Sequence, residues 1–595
     1  MNQREAMTTV APSPSDGHAT QWEWRRHPGS SDAASHYARE FRVNDLTAQV
    51  LMNRGLNSLE PIRQFLGPSL EQLHDPFLMK GMDAAVRRVR RAILRRERIH
   101  IHGDYDVDGI SATAVLLLGL RAAKADVHYH IINRNDASVG LSVMSLQRDH
   151  LPHSPKVIIT ADCGTSSQAG IEEAARHGID VIVVDHHMPG NHVPRCAALL
   201  NPMQQRCDFP FRHLAAVGVA FNFVYALHLF LQREDASWPA LPLKQLTDLV
   251  ALGTISDLVP LSDENRIFVR EGLPLLRSAR RPGICALMRA ARLLSGTDAD
   301  GEGLTPRVIG FRLAPLLNAA GRMDDANKCV ELLTTDSYRV ADSIVAELVE
   351  ANLQRQACER DALNEAVQRA ERLVSAGAPL IVLADRDWHP GVLGIVASRL
   401  VERYHLPAIV TAIDSHGMAK GSVRAPEHYD MLDALSQCRD LLDTYGGHKV
   451  AAGIAFEHKE FDELLRRLYV AVRSQQPDGR PPARRLMIDA MILLDDLTED
   501  VGRELEDLGP FGAGNPEPVF EARRVHVVHA RTLHGGNSRL RLRQGNRVFE
   551  AFAYGLRGRI DFGRRPMDVA FSLRMNRSGE NGGVELVIRD LVYSQ

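Results

Sequence analysis

The sequence predicts an α/β protein in which two α/β lobes are joined by a long helix and followed by a small C-terminal β-barrel. Three observations carry this prediction. From about residue 99, short apolar strands alternate with helical segments, the pattern of a parallel α/β sheet. Residues 337–376 contain no Gly or Pro and are rich in helix formers, so they predict one helix of roughly 60 Å at 1.5 Å per residue. Beyond residue 485, short segments alternate apolar and polar side chains as barrel strands do.

A helical region precedes the first lobe. Residues 41–98 have a helical pattern that ends in an arginine-dense stretch, Arg87–Arg98, which we interpret as a solvated helix face. The lobe then alternates predicted strands (Ile99–Gly103, Val127–Ile132, Val157–Thr160 and Val181–Val184) with predicted helices (Ile110–Lys124 and Ser166–His177). Ligands of such open sheets bind beyond the carboxyl ends of the strands. The polar residues that follow these strands are therefore the first candidates for a functional site.

The second lobe and the barrel follow the long helix. Residues Pro379–Ala384 begin a second α/β pattern that continues to about residue 475, and residues 476–485 have the composition of a linker. In the C-terminal segment, Arg539–Arg543 alternates with period two, Gln544–Asn546 predicts a turn, and Val548–Ala553 predicts the returning strand. This hairpin is the best defined part of the predicted barrel.

Charge is unevenly distributed along the chain. Its 595 residues, 45% apolar and 24% charged, have a globular composition and are too many for one ordinary domain. The formal net charge of −3 excludes a uniformly basic nucleic-acid coat. Residues 521–595 nevertheless contain 14 Arg, no Lys and 7 acidic residues, so their net charge is +7 against −10 for the rest of the chain. The sequence therefore predicts a basic module attached to an acidic body.

Cysteine usage indicates a reducing compartment. The seven cysteines are dispersed and form no CxxC pair, which argues against a disulfide framework or a zinc ribbon and predicts a cytoplasmic protein. The N-terminus lacks the apolar core of a signal peptide, and no run approaches the ~18 apolar residues of a membrane span. Residues 1 to about 20 have a disordered composition.

Acidic and imidazole side chains follow the predicted strands. His102, Asp104, Asp106 and Asp108 come after the first strand, Asp162 after the third, Asp185, His186 and His187 after the fourth, and Asp257 after the apolar run 251–256. Acids this closely spaced repel one another unless a cation holds them. Oxygen-rich sets with imidazoles suit two Mn²⁺ or Mg²⁺ ions, whereas soft zinc sites use thiolates. Each motif alone is compatible with a helix cap or a surface histidine, but the four together predict a two-metal phosphoryl-transfer site.

These residues resemble the four motifs of the DHH phosphoesterase superfamily. The longer strings HGDYDVDG, TADCG, VVDHH, ALGTISDLVPL and LNAAGRMDDA resemble the RecJ family of exonucleases within it, and the similarity runs from about residue 45 to 595. The resemblance implies a single-stranded-DNA-specific 5′→3′ exonuclease that releases 5′ mononucleotides by two-metal phosphodiester hydrolysis in DNA repair and recombination. It also implies single-stranded DNA as the substrate and allows a helicase or a single-strand-binding protein as a partner, with no membrane involved.

The resemblance also implies a domain organisation. Its parts are a disordered tail and the start of an N-terminal region (1–40), a DHH catalytic domain with N-terminal helices (41–275), a helical connector (276–376), a DHH-associated domain (377–475), a linker (476–485) and an OB-fold nucleic-acid-binding domain (486–595). Such a barrel can track a single strand by charge and by stacking. The segment Gly509–Pro518 resembles the entry into this OB-fold.

Residue roles in the first lobe are carried over by position. One metal site matches His102, Asp106 and Asp162. The other matches Asp108, Asp162, His186 and Asp257, so that Asp162 bridges the two ions. His187 matches the histidine that contacts the scissile phosphate, and Asp185 orients an imidazole, which makes His187, Asp162 and Asp185 the implied catalytic set. The resemblance assigns no ligand role to Asp104.

Substrate contacts are implied elsewhere in the chain. The family implies that Ser422, Arg424 and His448 bind substrate phosphates near the 5′ end, with Asn318 and Arg322 contributing from the connector. Glycine-rich turns let backbone amides approach an anion, and an arginine can donate two hydrogen bonds to a phosphate; the glycines alone would be ordinary turns.

Two further features concern the strand path and the family pattern. Arg539, Arg541 and Arg543 share one face of the predicted barrel strand, which suits phosphate tracking or simply a solvated face. The family's usual Gly-Tyr-Gly-Leu is replaced by Ser138-Val139-Gly140-Leu141, and Ala425 stands where Ser is common, so the role of that tyrosine is in doubt.

Two alternatives remain open from the sequence. One is a phosphoesterase that acts on pyrophosphate or short oligonucleotides; relatives of that kind generally lack the barrel and the long helix. The other is a non-catalytic binding protein built on a degenerate DHH scaffold. The presence of carboxylates and histidines in all four motifs argues against it.

Overall fold

The computed structural model describes residues 22–28, 31–133, 140–190, 192–294, 303–323, 325–476, 484–533, 537–554, 565–576 and 583–593. These residues divide into two compact units. The parallel-sheet unit comprises Leu56–Asn352 and Asp507–Glu517, and the barrel unit comprises the remaining described residues. The predicted tail (1–20), most of the linker 476–485 and the departure at Ser138-Val139 lie outside the described residues, and the predicted domain boundaries stay a prediction.

The first half of the chain forms a parallel sheet with flanking helices. Its elements are β1 (Glu23–Arg26), α1 (Ser31–Phe41), α2 (Asp45–Asn53), α3 (Leu59–Leu66), α4 (Met82–Arg95), β2 (Ile99–Gly103), α5 (Val107–Ala122), β3 (Val127–Ile131), α6 (Val143–Ser145), β4 (Val157–Ala161), α7 (Gln168–Arg176), β5 (Asp180–Val184) and β6 (Ala198–Leu200). The strand order is β3-β2-β4-β5-β6 and all pairings are parallel. This confirms the predicted parallel α/β sheet. Every residue of β2 and β4 is buried, as expected for strands covered on both faces.

Helices follow the parallel sheet. They are α8 (Ala216–Glu234), α9 (Leu243–Ser256), α10 (Asp263–Ser278), α11 (Pro282–Ala290), α12 (Pro306–Val308), α13 (Ala314–Met323), α14 (Asn327–Thr334) and α15 (Tyr338–Ser375). Helix α15 is a single 38-residue helix, which confirms the prediction from the Gly- and Pro-free segment. The apolar run before Asp257 is the end of helix α9, so this acid is carried by a helix terminus and not by a strand.

The rest of the chain forms a mixed sheet and a barrel. Its elements are β7 (Ile381–Asp385), α16 (Leu393–Tyr404), β8 (Ala408–Ile413), β9 (Met418–Arg424), α17 (Met431–Ser436), β10 (Thr444–His448), β11 (Ala451–Glu457), α18 (Phe461–Arg473), β12 (Arg485–Ile488), β13 (Ala490–Met491), α19 (Glu499–Asp507), β14 (Phe520–Thr532), β15 (Ser538–Gln544), β16 (Arg547–Ala553), β17 (Met567–Asn576) and β18 (Gly583–Tyr593). The mixed sheet has the order β10-β11-β9-β8-β7, and only β7 and β8 are parallel. It confirms a second α/β lobe.

The barrel closes on itself. Strands β14, β15, β16, β18 and β17 pair in that order, and β14 also pairs with β17, so the five strands form a ring to which β13 is added. The hairpin of β15 and β16 has the predicted turn between Gln544 and Arg547. A closed five-stranded barrel is the architecture of an OB-fold, as the resemblance implied.

A short N-terminal strand was not predicted from the sequence. Strand β1 pairs in parallel with β12. The Trp24 indole donates a 2.8 Å hydrogen bond to Asp590, and the Arg26 guanidinium donates bonds of 2.6 and 2.9 Å to Glu521. Both acids are buried in the barrel, so these bonds satisfy groups that would otherwise be costly to bury.

The seven cysteines are all free thiols. Within the described ranges, no helix combines the length and the apolar character needed to cross a membrane.

Candidate metal centre

The loop after strand β2 presents three carboxylates. Asp106 caps helix α5, since its Oδ1 accepts hydrogen bonds from the backbone N–H groups of Asp108 (2.9 Å) and Gly109 (3.1 Å). Gly109 allows the turn because a Cβ there would lie 2.6 Å from the Asp104 carbonyl oxygen. The loop is therefore folded back tightly, which brings Asp104 close to Asp106.

Asp108 is buried against a second helix. Its carboxylate accepts hydrogen bonds from the backbone N–H groups of Ala216 (2.7 Å) and Val217 (3.0 Å) at the start of α8, a helix end that favours negative charge. Burial, together with the nearby charge of Asp106, still raises the pKa of Asp108 to about 7. The protein thus holds this carboxylate in a place where it is costly to ionise without a cation.

Asp162 lies at the carboxyl end of β4. Its backbone is left-handed (φ 64°), and its N–H donates to the Val184 carbonyl at 2.9 Å, which joins it to the end of β5. Its Oδ1 lies 3.4 Å from His186 Nε2 and 3.8 Å from His187 Nδ1. Burial and the charges of the surrounding acids raise the pKa of Asp162 well above its ordinary value.

Asp185 and His187 form a tight pair. Asp185 Oδ1 lies 2.8 Å from His187 Nδ1 and accepts the backbone N–H of both His186 and His187, while Oδ2 accepts the N–H of Thr165. Burial opposes ionisation of Asp185, but the bonds from His187 and Thr165 outweigh it and lower the pKa of Asp185. Burial likewise disfavours the charged imidazole, yet its bond to Asp185 raises the pKa of His187 to about 9. The pair fixes the ring and favours its protonated form.

Three groups of side chains are close enough to share an ion. They are Asp104 with Asp106 and Asp162, Asp108 with His186 and Asp257, and Asp162 with His186 and His187. Asp104 Oδ1, Asp162 Oδ1 and Asp257 Oδ2 are buried and have no hydrogen-bond partner within the described part of the chain. Buried carboxylate oxygens without donors are expensive unless they coordinate a cation. An oxygen-rich set with imidazole fits Mn²⁺ or Mg²⁺.

His102, a predicted ligand, belongs to a row of contacting histidines. Among the residues that the structure describes, none of these groups includes it. Its Nδ1 lies 2.8 Å from Nε2 of His150, whose Nδ1 lies 3.0 Å from Nδ1 of His100. Residues 100 and 102 share a face because side chains alternate along β2, and Asp104 is the first residue beyond the strand end. Asp104 lies close to Asp106 and Asp162. The His102 ring is held through Nδ1, and its buried Nε2 has no hydrogen-bond partner within the described residues, so His102 stays a predicted ligand.

Helix α13 carries two predicted substrate contacts and packs on the metal loop. A Cβ at Gly321 would lie 2.8 Å from the backbone oxygen of Tyr105, the residue between Asp104 and Asp106. Asn318 and Arg322 flank this glycine and are half-buried. Helix α13 therefore packs on the loop of the carboxylates at Gly321, and the substrate contacts of Asn318 and Arg322 stay a prediction.

The predicted contacts of the second lobe share one face of its sheet. Ser422 and Arg424 are two residues apart on β9, so their side chains lie on the same face of the sheet. On that face, Arg424 lies opposite Ala451 of β11, which lies opposite His448 of β10. A Cβ at Gly394, in the first turn of α16, would lie 3.2 Å from both the Arg424 guanidinium and the Ser422 hydroxyl. Absence of a side chain at Gly394 thus lets the helix start approach these two groups closely.

The barrel arginines share an exposed face, as predicted. Arg539, Arg541 and Arg543 alternate with buried residues along β15. The structure adds basic neighbours that the sequence analysis did not single out: Arg531 lies opposite Arg539, and His529 lies opposite Arg541. Glu550 lies 3.3 Å from Arg541 and Glu585 lies 3.5 Å from Arg539, so the barrel itself balances part of this charge. The exposed basic groups of this face suit contact with a phosphate backbone. Of the aromatics nearby, Phe549 is buried and Phe552 and Tyr554 are half-buried.

Comparison with known proteins covers the same three parts of the chain. The models of the DHH family N-terminal domain, the DHHA1 domain and the RecJ OB domain match residues 98–254, 377–473 and 488–590. The single-stranded-DNA-specific exonuclease RecJ of Bacillus subtilis (strain 168) is 33% identical, over 97% of this chain and 72% of its own length. The protein of that name from Escherichia coli (strain K12) is 33% identical, over 86% of this chain and 90% of its own length.

Solved structures agree with these relatives. The crystal structure of RecJ in complex with Mn²⁺ from Thermus thermophilus has a TM-score of 0.82 and 31% identity, and the match covers 97% of this chain and 80% of that one. The complex with Mg²⁺ from the same organism has a TM-score of 0.76 and 30% identity, with 97% and 79% covered. Because the similarity extends over nearly the whole chain in sequence and in structure, this protein belongs to the RecJ family of exonucleases.

Proposed function

We propose that this protein is a single-stranded-DNA-specific 5′→3′ exonuclease that releases 5′ mononucleotides by two-metal hydrolysis and acts in DNA repair and recombination. The observation that carries the proposal is the set of buried carboxylate oxygens without hydrogen-bond donors, within the described residues, at the ends of neighbouring strands and a helix. In a chain of the RecJ family, such a set is a binding place for divalent ions on which a phosphodiester is hydrolysed.

The geometry supports a specific assignment of ligands. Asp104, Asp106 and Asp162 would hold one ion, and Asp108, His186 and Asp257 would hold the other together with Asp162 as the shared residue. Mn²⁺ or Mg²⁺ bound by these residues would supply an activated water and positive charge for the phosphate. Asp104 is added to the predicted set, and His102, whose buried Nε2 has no hydrogen-bond partner within the described residues, would be a further ligand of the first ion.

His187 is the residue that contacts the scissile phosphate. Its protonated ring, held by Asp185 at 2.8 Å, supplies a positive hydrogen-bond donor where negative charge develops. Because the donor is already oriented, no reorganisation is needed when the reaction occurs.

Substrate phosphates are bound by the residues that the family implies. Ser422, Arg424 and His448 share one face and can hold a terminal 5′ phosphate, which gives the enzyme its polarity. Asn318 and Arg322 contact the phosphate next to the metal loop. The exposed arginines of β15 hold the incoming strand by charge.

A direct assay separates this function from the alternatives. Single strands labelled at the 5′ or the 3′ end are incubated with Mn²⁺, with Mg²⁺ or with a chelator. We expect labelled mononucleotide at once from the 5′ label, late release from the 3′ label and none with chelator. Release from the 3′ label first, or release unaffected by chelator, contradicts the proposal.

A variant tests the shared carboxylate. Asp162→Ala should abolish nucleotide release while leaving DNA binding measurable, because it removes the residue common to two of the groups. The matched control is Asp83→Ala, an exposed acid on α4 that forms a surface pair with Arg87. Unchanged release by Asp162→Ala would refute the two-metal assignment.

A partner and a compartment complete the proposal. A helicase or a single-strand-binding protein would present the strand, since the enzyme needs DNA that has already been separated. The free thiols support a cytoplasmic location. Addition of a helicase should extend digestion from a nick into the duplex; the absence of any stimulation would count against such a partner.

A further inference from the structure

A glycine-rich segment of the chain belongs to a different compact unit from the residues that precede and follow it in the sequence. Residues Asp507–Glu517 are part of the parallel-sheet unit, whereas the chain on both sides of them belongs to the barrel unit. The sequence singled this segment out only as the entry into the barrel. Its contacts in the structure indicate a role for it at the metal centre.

The segment is a rigid, self-closed turn. Gly512 and Asn515 exchange backbone hydrogen bonds of 2.9 and 3.2 Å, with Ala513 and Gly514 at the tip. The buried Asn515 side chain donates bonds of 3.0 and 2.8 Å to the carbonyls of Leu508 and Pro510. These bonds fix the turn from within, so it can act as a brace for whatever it contacts.

The turn contacts the loop that follows Asp257. This loop, residues 258–262, joins helix α9 to helix α10. The Leu261 N–H donates a 2.7 Å hydrogen bond to the Ala513 carbonyl. A Cβ at Gly514 would lie 2.8 Å from Pro260 Cβ, and one at Gly512 would lie 2.8 Å from Leu261 Cδ1. A Cβ at Gly514, whose backbone is left-handed (φ +70°), would collide with the proline ring, and a Cβ at Gly512 would displace the end of the Leu261 side chain.

The loop is held from its other side as well. Asn265 Nδ2 donates hydrogen bonds to the carbonyls of Pro260 (3.0 Å) and His213 (2.6 Å). Residues 260 and 261 are therefore tied both to the protein interior through Asn265 and to the turn through Ala513. Leu258, by contrast, is 75% exposed.

Asp257 needs such support for an electrostatic reason. It caps the carboxyl end of α9, where the helix carbonyls repel a negative charge. Asp108 and Asp106 add further repulsion. His186 Nε2, 3.7 Å from Asp257 Oδ2, offers one favourable contact. The position of Asp257 on the chain, set by α9 and by the loop behind it, therefore contributes to keeping this carboxylate beside Asp108 when no ion is bound.

We propose that the turn Gly512–Asn515 is a positioning element that holds Asp257 in place as a ligand of the second metal site. This inference rests on the proposed metal assignment. The turn touches neither substrate nor ion, and acts through the loop 258–262.

The test measures Mn²⁺ binding to the metal-free full-length protein by calorimetry. Gly514→Ala places a Cβ against Pro260 at a left-handed position (φ +70°). The matched control is Gly178→Ala, which has a similar backbone (φ +67°) with no atom within 4 Å of the added Cβ. We expect Gly514→Ala to weaken one of the two Mn²⁺ sites by about tenfold to a hundredfold, the range of losses for residues that orient a ligand. The other site and the control should keep wild-type affinity.

Combining two substitutions that should compensate each other tests the contact itself, because general destabilisation of the protein would not produce compensation. Gly512→Ala meets only side-chain atoms of Leu261, which Leu261→Ala removes. The double variant should therefore bind Mn²⁺ no more weakly than Leu261→Ala alone, although Gly512→Ala alone is weakened. Hydrogen exchange of peptides covering residues 256–263 should rise in Gly512→Ala and return toward the Leu261→Ala value in the double variant.

The outcomes separate the two proposals. If the wild-type protein binds two Mn²⁺ ions and neither glycine variant changes either affinity, or both sites weaken equally, the positioning role is refuted. If Gly512→Ala and Leu261→Ala have additive effects on Mn²⁺ affinity, the contact between Gly512 and Leu261 is not what positions Asp257. If the wild-type protein does not bind two ions, the metal assignment fails, and the inference fails with it.

Discussion

Asp108 provides a test of how much folding stability the protein loses by holding the carboxylates of the metal centre together before an ion binds. Its carboxylate is buried and hydrogen-bonded, and burial with the charge of Asp106 raises its pKa from 3.8 to about 7. The perturbation is Asp108→Asn in the metal-free protein. The amide keeps the shape of the side chain and removes the charge, but it leaves either Ala216 N–H or Val217 N–H without an acceptor.

The magnitude follows from proton linkage. A carboxyl whose folded pKa is raised contributes no penalty below its unfolded pKa and costs stability as the pH rises toward the folded value. For a rise from 3.8 to about 7, the penalty grows by roughly 2–3 kcal/mol between pH 5 and pH 8. The lost hydrogen bond costs the variant about 1–3 kcal/mol at every pH. Relative to wild type, Asp108→Asn should therefore gain stability by roughly 2–3 kcal/mol from pH 5 to pH 8.

The assay is thermal unfolding of wild type and variant with chelator at several pH values. For a unit of this size, the change corresponds to a shift of roughly 5 °C in the difference between the two melting temperatures. Asp83→Asn, which alters an exposed acid, should stay within about 0.5 kcal/mol of wild type throughout. Saturating Mn²⁺ should stabilise wild type more than Asp108→Asn.

One result would refute this reasoning. If the stability difference between Asp108→Asn and wild type is the same at pH 5 and pH 8, ionisation of Asp108 does not lower the free energy of unfolding. The carboxylate would then be an ordinary helix-capping group, and its burial would not be evidence of a cation site.

Two further predictions concern catalysis. Asp185→Asn removes the partner that raises the pKa of His187, and since burial lowers the pKa of an imidazole, the basic limit of the kcat–pH profile should move to lower pH. A profile whose basic limit does not move would show that His187 is not used in its protonated form. Gly321→Ala should lower kcat by about tenfold or more with Mn²⁺ affinity nearly unchanged, because the new Cβ lies 2.8 Å from the Tyr105 carbonyl and displaces α13 from the metal loop. Wild-type kcat in this variant, measured by mononucleotide release, would contradict the role of that packing.

Much of the fold follows from patterns within a few residues. Strands β2, β4 and β5, the helix α15 and the hairpin of β15 and β16 were all predicted, because apolar periodicity and turn residues act over neighbouring positions. The strand-end acids followed in the same way, since consecutive parallel strands end at one edge of a sheet. The site's residue types were therefore available from the sequence, although their exact partners were not.

The surroundings of His102 and Asp104 show where such patterns stop. Both residues precede Asp106 at positions that could serve an ion. The sequence does not reveal that the His102 ring contacts His150, which lies 48 residues further along the chain. Nor does it reveal that Asp104, beyond the last strand residue, lies close to Asp162.

The sequence by itself determined the strands of the first sheet, the long helix, the family and the chemistry that the carboxylates can support. Only the tertiary structure decided that β1 pairs with β12 and that the turn Gly512–Asn515 lies against Leu261. The physical reason is one of range. Periodicity, capping and turn preference depend on adjacent residues, whereas each of these contacts joins parts of the chain that no local pattern links and that meet only when the whole unit has packed.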